Sequence, residues 1–296
     1  MNIAVLSCIH GNLEALEAVL RDIDQQSVDQ IYSLGDLVGY GPYPNEVVAR
    51  IRKLGIPTCQ GCWDEDIVDG LNACDCSYPS LLAETRGRLA HEWTNQAVTP
   101  EIRDYLAELP LTLQQDNLCF VHGSPHSQHE YLLPDTSAFI ALERVLATGA
   151  DTLFCGHTHV PYVRNLENSS LTLKVVAPSN QPPIDSPTPF DFVAPLEPLR
   201  EQDRHPPIHS ATPVPTLKRI INAGSVGEPR HGRPNATYVL YDTASQAVTL
   251  REVEYDYAKT CAAIIEKGLP AIFAWRLAQG LEYAEKADDP THVCER

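Results

Sequence analysis

The chain has 296 residues, enough for one large domain or two small ones and for a sizeable buried core. Its 22 Lys and Arg against 39 Asp and Glu give a formal charge of −17, so the surface repels nucleic-acid phosphates and anionic lipid, which argues against a general nucleic-acid or membrane-surface binder. Nine cysteines, and an opening that runs from Met1-Asn2 into Ile3-Ala4-Val5-Leu6 without a basic leader or a spanning apolar segment, lead us to expect reduced thiols or metal ligands in a soluble, cytoplasmic protein.

Along the first half, short apolar runs alternate with stretches of helical period, the mark of β-α-β units. Residues 2–7 are expected as a buried strand. Leu13, Leu16, Val19, Leu20 and Ile23 share one helical face, with Asn12 as N-cap. Gln30–Leu34 follows as a strand, Asn45–Leu54 as a helix after Pro44, Ile56–Gln60 as a strand, and later Leu118–Val121 and Thr152–Cys155 as strands, which makes five. Between Trp63 and Pro110 the pattern is helical and polar, with Leu81–Trp93 and a second helix starting at Thr99-Pro100-Glu101, so residues 63–110 read as a helical insertion.

Residues 161–176 and 217–253 read as strands of a second sheet, with Ala236–Tyr241 and Ala247–Val253 in hairpin spacing. Pro178–Pro215 carries 11 prolines in 38 residues, so 178–216 is expected to be a mobile or extended insertion. Tyr257–Ile265 and Leu269–Leu281 read as short helices broken at Gly268 and Pro270. The organisation expected is a single domain over 1–284 with a loose tail, 285–296.

Chemistry concentrates just after the five strands, in Cys8-Ile9-His10-Gly11-Asn12, Gly35-Asp36, Gly61-Cys62-Trp63-Asp64, His122-Gly123 and Gly156-His157-Thr158-His159. Ligands of open α/β sheets bind beyond the carboxyl ends of the strands, so these segments are expected to converge. A lone turn histidine means little; five such segments together mean a site.

The ordered pattern resembles that of the calcineurin-like metallophosphoesterases: D-x-H, G-D, G-N-H-D/E, a His before Gly, and G-H-x-H. Gly35-Asp36-Leu37-Val38-Gly39-Tyr40-Gly41-Pro42 and Asn222-Ala223-Gly224-Ser225-Val226-Gly227-Glu228-Pro229-Arg230 extend the likeness. The resemblance implies an α/β fold, a two-sheet αββα sandwich, around a dinuclear metal centre. It implies His10 and His159 on one metal, Asp36 bridging, and His122 and His157 on the other, with a metal-bound hydroxide attacking the phosphorus of a small mono- or diester. Asp36 and His157 would then be required for catalysis.

Three positions depart from that pattern. Cys8 stands for the first Asp, Cys62 for the Asn, and Trp63 for the His that supplies a proton or steadies phosphate at the catalytic position. As ligands, two thiolates would favour zinc or iron over manganese or magnesium and lower the Lewis acidity of the ions. Trp63 offers no general acid, so activated esters or diesters are expected.

Cys8 and Cys62 also read as small buried residues or as a redox pair, and Cys59-Gln60-Gly61-Cys62 with Cys74-Asp75-Cys76 leaves a thiol switch or a structural zinc open. Arg164 and Arg230 are assigned to substrate phosphate, against the alternative of solvated surface, which also covers His231 and Arg233. His126 and His129 are weaker candidates for substrate contact, and Gly224-Ser225-Val226-Gly227, though cradle-like, reads as structural. The second functional reading is a weakened phosphoesterase-fold protein that senses a metal, a phosphorylated ligand or thiol redox state.

Overall fold

The computed structural model describes residues 1–71, 81–166 and 217–281. The chain divides into a large unit, Met1–Leu166 with Leu217–Arg296, and a small one, Glu167–Thr216. The small unit, and with it the whole proline-rich stretch, lies outside the described residues, as do Cys74-Asp75-Cys76, the second half of the strand expected at 161–176, and the tail expected at 285–296.

In chain order the elements are β1 (Asn2–Leu6), α1 (Leu13–Ile23), β2 (Gln30–Ser33), α2 (Pro44–Leu54), α3 (Cys62–Val68), α4 (Leu81–Ala97), α5 (Pro100–Ala107), β3 (Thr112–Gln115) and β4 (Leu118–Val121). They continue with α6 (Ala138–Ala147), β5 (Thr152–Cys155), β6 (Tyr162–Leu166), β7 (Lys218–Asn222), β8 (Ala236–Asp242), β9 (Val248–Val253), α7 (Tyr257–Glu266) and α8 (Ala271–Gln279). The helix starts follow local chemistry: Asn12 accepts the Ala15 N–H at 3.2 Å, Thr99 caps α5 ahead of Pro100, and Pro44 occupies the first turn of α2, where a missing N–H costs nothing.

Two sheets form. One has the order β2-β1-β8-β9, the other β3-β4-β5-β7-β6. Side-chain alternation along β1 explains the layering: Ile3 and Val5 face Phe120, Phe154 and Ile221 of the other sheet, whereas Ala4 and Leu6 face Leu16 and Val19 of α1. On the far side, Leu153 and Ile220 pack on Ala141, Leu142 and Val145 of α6. The result is the expected αββα sandwich.

Details differ from the sequence reading. Ile56–Gln60 forms no strand; it contributes a single parallel bridge, Thr58 to Ser33, because the chain turns into α3 before a ladder can extend. The later strands do not make one second sheet. β6 and β7 join β4 and β5, while β8 and β9 join β1 and β2. β3 and α6 had no counterpart in the sequence reading. The ligand-bearing loops therefore come from two sheets, at their shared carboxyl edge.

Candidate metal centre

The loop after β1 is laced to the loop after β2. Cys8 N–H donates to Gly35 O at 3.0 Å, His10 N–H to Asp36 O at 2.8 Å and Gly11 N–H to Leu37 O at 2.8 Å. These bonds hold residues in a backbone region that side chains normally avoid: φ is 51° at Cys8, 47° at His10 and 54° at Asp36, with 62° at His157 and 59° at His159. Each such residue costs on the order of 1–3 kcal/mol, and their gathering at one place marks a functional site.

Two groups of donors share Asp36. Cys8, His10, Asp36 and His159 have ligand atoms within 4.8 Å of one another, as do Asp36, Cys62, His122 and His157, and all are buried. Asp36 Oδ2 lies 3.5 Å from His10 Nε2 and 3.2 Å from His122 Nε2. Cys62 Sγ is 3.8 Å from the same oxygen, 3.7 Å from His122 Nε2 and 3.5 Å from His157 Nδ1. The other carboxylate oxygen, Oδ1, accepts the Trp63 N–H at 2.9 Å, which fixes the carboxylate's rotation. Asp64 ties the neighbouring loops, accepting from Leu37 and Gly61 N–H at 2.9 and 3.0 Å.

The ring tautomers suit cations. Nδ1 of His10, His122 and His159 faces the carbonyls of Val38, Leu34 and Glu228 at 2.9, 2.8 and 2.6 Å, so each donates there and turns an unprotonated Nε2 inward. His10 Nε2 and His159 Nε2 stand 3.2 Å apart. Lone pairs gathered so closely on a buried carboxylate call for positive charge between them, and the donor set fits two metal ions.

Electrostatics agrees. Burial would raise the Asp36 carboxyl, but His122, His10 and His157 hold it well below the usual range. Burial lowers His10 to about 3 and pulls His157 and His159 down as well, so these rings stay neutral, as metal ligation would require. His122 alone is raised, because the Asp36 charge outweighs its burial. Burial, then Asp36, pushes the Cys8 and Cys62 thiols up, so without a cation both keep their protons.

The other sequence-predicted residues lie elsewhere or are otherwise engaged. Trp63 is buried, stacked on His91 with centroids 3.6 Å apart and packed on Tyr40 at 4.4 Å; its backbone serves the centre while its indole serves the core. A Cβ on Gly39 would overlap that indole. Arg164, on edge strand β6, donates to the Thr136 carbonyl and is not brought to the ligands. Arg230 is near the centre but buried against Glu228 at 3.0 Å, so its role is structural before it is substrate-facing. His126 pairs with Glu143 and His129 with Glu65. The segment Gly224–Gly227 is no open phosphate cradle, since its N–H groups are spent on Asn222, Thr237, Ser7 and Cys8.

Residues missed in the sequence include His91, which is paired with Asp66 at 3.3 Å beneath Trp63, and Glu228 and Arg276 behind His159. Glu228 stood inside the segment Asn222–Arg230 without a role, and nothing local distinguished His91 or Arg276.

Comparison with known proteins agrees with this geometry. Residues 1–183 match the model of the calcineurin-like phosphoesterase superfamily domain. An uncharacterized protein of Methanocaldococcus jannaschii is 32% identical over 287 residues, covering 94% of this chain and 98% of that protein. The crystal structure of a metallophosphoesterase from Sphaerobacter thermophilus is 33% identical, covers 95% of this chain and all of that one, and superposes with a TM-score of 0.68. A hypothetical protein of Pyrococcus horikoshii, at 22% identity and a TM-score of 0.67 over 94% of this chain and 98% of its own, shares the fold. No helix among the described residues is long and apolar enough to cross a membrane.

Proposed function

Because the chain belongs to the calcineurin-like phosphoesterase superfamily, we propose that it hydrolyses a small phosphate mono- or diester at a dinuclear centre held by Cys8, His10, Asp36, His159, Cys62, His122 and His157. The observation that carries this reading is the pair of buried donor groups meeting at one carboxylate. Two divalent ions held there would supply Lewis acidity toward a phosphoryl oxygen and acidify a water for in-line attack.

The chain's own residues set the terms. Asp36 keeps its charge and its rotation through the Trp63 N–H, so it can serve both groups at once. Cys8 and Cys62 surrender their protons only to a soft cation, which favours zinc or iron over manganese or magnesium. His157 turns Nδ1 inward and leaves Nε2 buried without a hydrogen-bond partner among the described residues. Trp63 gives the leaving group no proton, and loss of general acid help is typically worth ~10²–10⁴-fold, so substrates with good leaving groups are favoured.

The test is hydrolysis of p-nitrophenyl phosphate and bis(p-nitrophenyl) phosphate by protein loaded separately with zinc, iron and manganese. Activity in zinc or iron that drops to background in Asp36→Asn, with metal lost and the fold kept, is expected. Full activity in Asp36→Asn overturns the assignment.

A second reading, a binding or sensing derivative of the fold, is favoured by the indole locked in the core at the position of the proton donor. A protein silent in every metal that gains turnover on Cys8→Asp with Cys62→Asn would be that derivative.

A further inference from the structure

The family match ends at residue 183, yet the segment after β7 and the last described helix reach the first group of ligands. Val226 and Gly227 N–H donate to the Ser7 and Cys8 carbonyls at 2.9 and 3.0 Å, and Ser225 Oγ donates to Cys8 O at 2.8 Å. Ser225 Oγ also accepts the Glu228 N–H at 2.8 Å, which sets the backbone of Glu228 beneath His159.

There His159 Nδ1 meets two acceptors of one residue, the Glu228 carbonyl at 2.6 Å and its carboxylate Oε2 at 3.2 Å. The carboxylate is held from two directions. Arg230 reaches Oε2 at 3.0 Å, and Arg276 of α8 pairs with Oε1. Glu228 and Arg276 are 6% and 3% exposed, and the Arg276 guanidinium lies over the Tyr40 ring, 4.8 Å from its centroid. A carboxylate buried this deeply persists only where its charge is matched, and two guanidiniums on its two oxygens also fix its rotamer.

We infer that Glu228, clamped by Arg230 and by Arg276 from the C-terminal helix, is the positioning residue of the Cys8 half of the metal centre, orienting His159 and raising its strength as a ligand. The inference rests on the metal-centre reading above. It makes α8 part of the machinery. A charged acceptor behind a ligating imidazole fixes ring orientation and increases basicity, and removing one typically costs ~10–100-fold in metal affinity. Among the described residues, the outer ring nitrogens of His122 and His157 meet no carboxylate: His122 Nδ1 faces the Leu34 carbonyl, and His157 Nε2 has no hydrogen-bond partner.

The experiment is cobalt(II) titration of the reduced, full-length protein, read by sulfur-to-cobalt charge-transfer absorption. In a Cys62→Ser background the band reports the Cys8 half; in a Cys8→Ser background it reports the Cys62 half. Glu228→Gln is expected to weaken cobalt ~10–100-fold in the first background and to leave the second unchanged. Arg276→Met is expected to weaken the first half in the same direction and by less, with Arg276→Lys nearer the parent. Were Arg276 only a repelling positive charge, Arg276→Met would instead tighten cobalt, and that overturns the positioning role. Equal weakening of both halves by Glu228→Gln, or none, also overturns it. Absence of both the charge-transfer band and the cobalt d–d bands in the unsubstituted protein would defeat the metal-centre reading itself, and the inference with it.

Discussion

The two halves of the centre share Asp36 but are braced differently. Behind His159 stands a buried carboxylate held by two guanidiniums, and the Cys8 loop beside it is stitched to Ser225, Val226 and Gly227. Across the bridge, the brace is of another kind: Asp64 ties Gly61, ahead of Cys62 and the short helix α3, to Leu37, and His157 Nε2 has no hydrogen-bond partner among the described residues. The first half is organised by the protein before any ion arrives. On the proposed reading, the second would offer the His157 Nε2 to a substrate oxygen or a water.

The largest expected effect comes from erasing the chemical feature both halves share. Cys8→Asp with Cys62→Asn removes both sulfur ligands, so preference should move from zinc or iron toward manganese, measured as activity and metal content after loading from equimolar mixtures. An unchanged preference would mean that neither thiol ligates. Next in size, Gly227→Ala should damage the braced half selectively, since a Cβ there overlaps the Ile9 carbonyl. Overpacking of that kind costs about 1–3 kcal/mol, so a lower urea midpoint and loss of one of two bound metals are expected. Equal loss of both metals would show that the halves are not independent.

A further effect, spread over several pH units, is a pH dependence in the metal-free protein. His10 is held at about 3 in the fold against an ordinary 6.5, so below 6.5 the unfolded chain takes a proton that the folded one refuses. Stability present above 6.5 should therefore decline as pH falls toward 3, with His159 and His157 adding in the same sense and the raised His122 opposing. The urea midpoint should fall less steeply over that range in His10→Gln; parallel profiles would contradict the assignment.

Much of this was readable in the sequence, for reasons that can be named. Local periodicity marked β1, α1, α2, β4 and β5, and cap chemistry at Asn12 and Thr99 placed helix starts, because those signals are encoded within a few residues. The ligand segments were readable because four of the five sit where a strand ends, the exception being the one that holds Cys62. What failed was non-local. Nothing in residues 56–60 says that the chain leaves for α3 after one bridge, and nothing in β6 to β9 says that the β6–β7 and β8–β9 pairs part to different sheets. Arg164 and Arg230 looked like phosphate ligands because a sequence shows charge but not what already neutralises it; the partners, Thr136 and Glu228, emerge only on folding. Trp63 was legible as a departure from the family pattern, but its burial against His91 depends on a helix that begins 18 residues later, at Leu81.

The decisive measurement is X-ray absorption of the zinc-loaded, reduced protein. A working centre built on Cys8 and Cys62 predicts about one sulfur per zinc at ~2.3 Å beside nitrogen and oxygen near ~2.0–2.1 Å. A first shell of nitrogen and oxygen alone would contradict it and return both cysteines to the core.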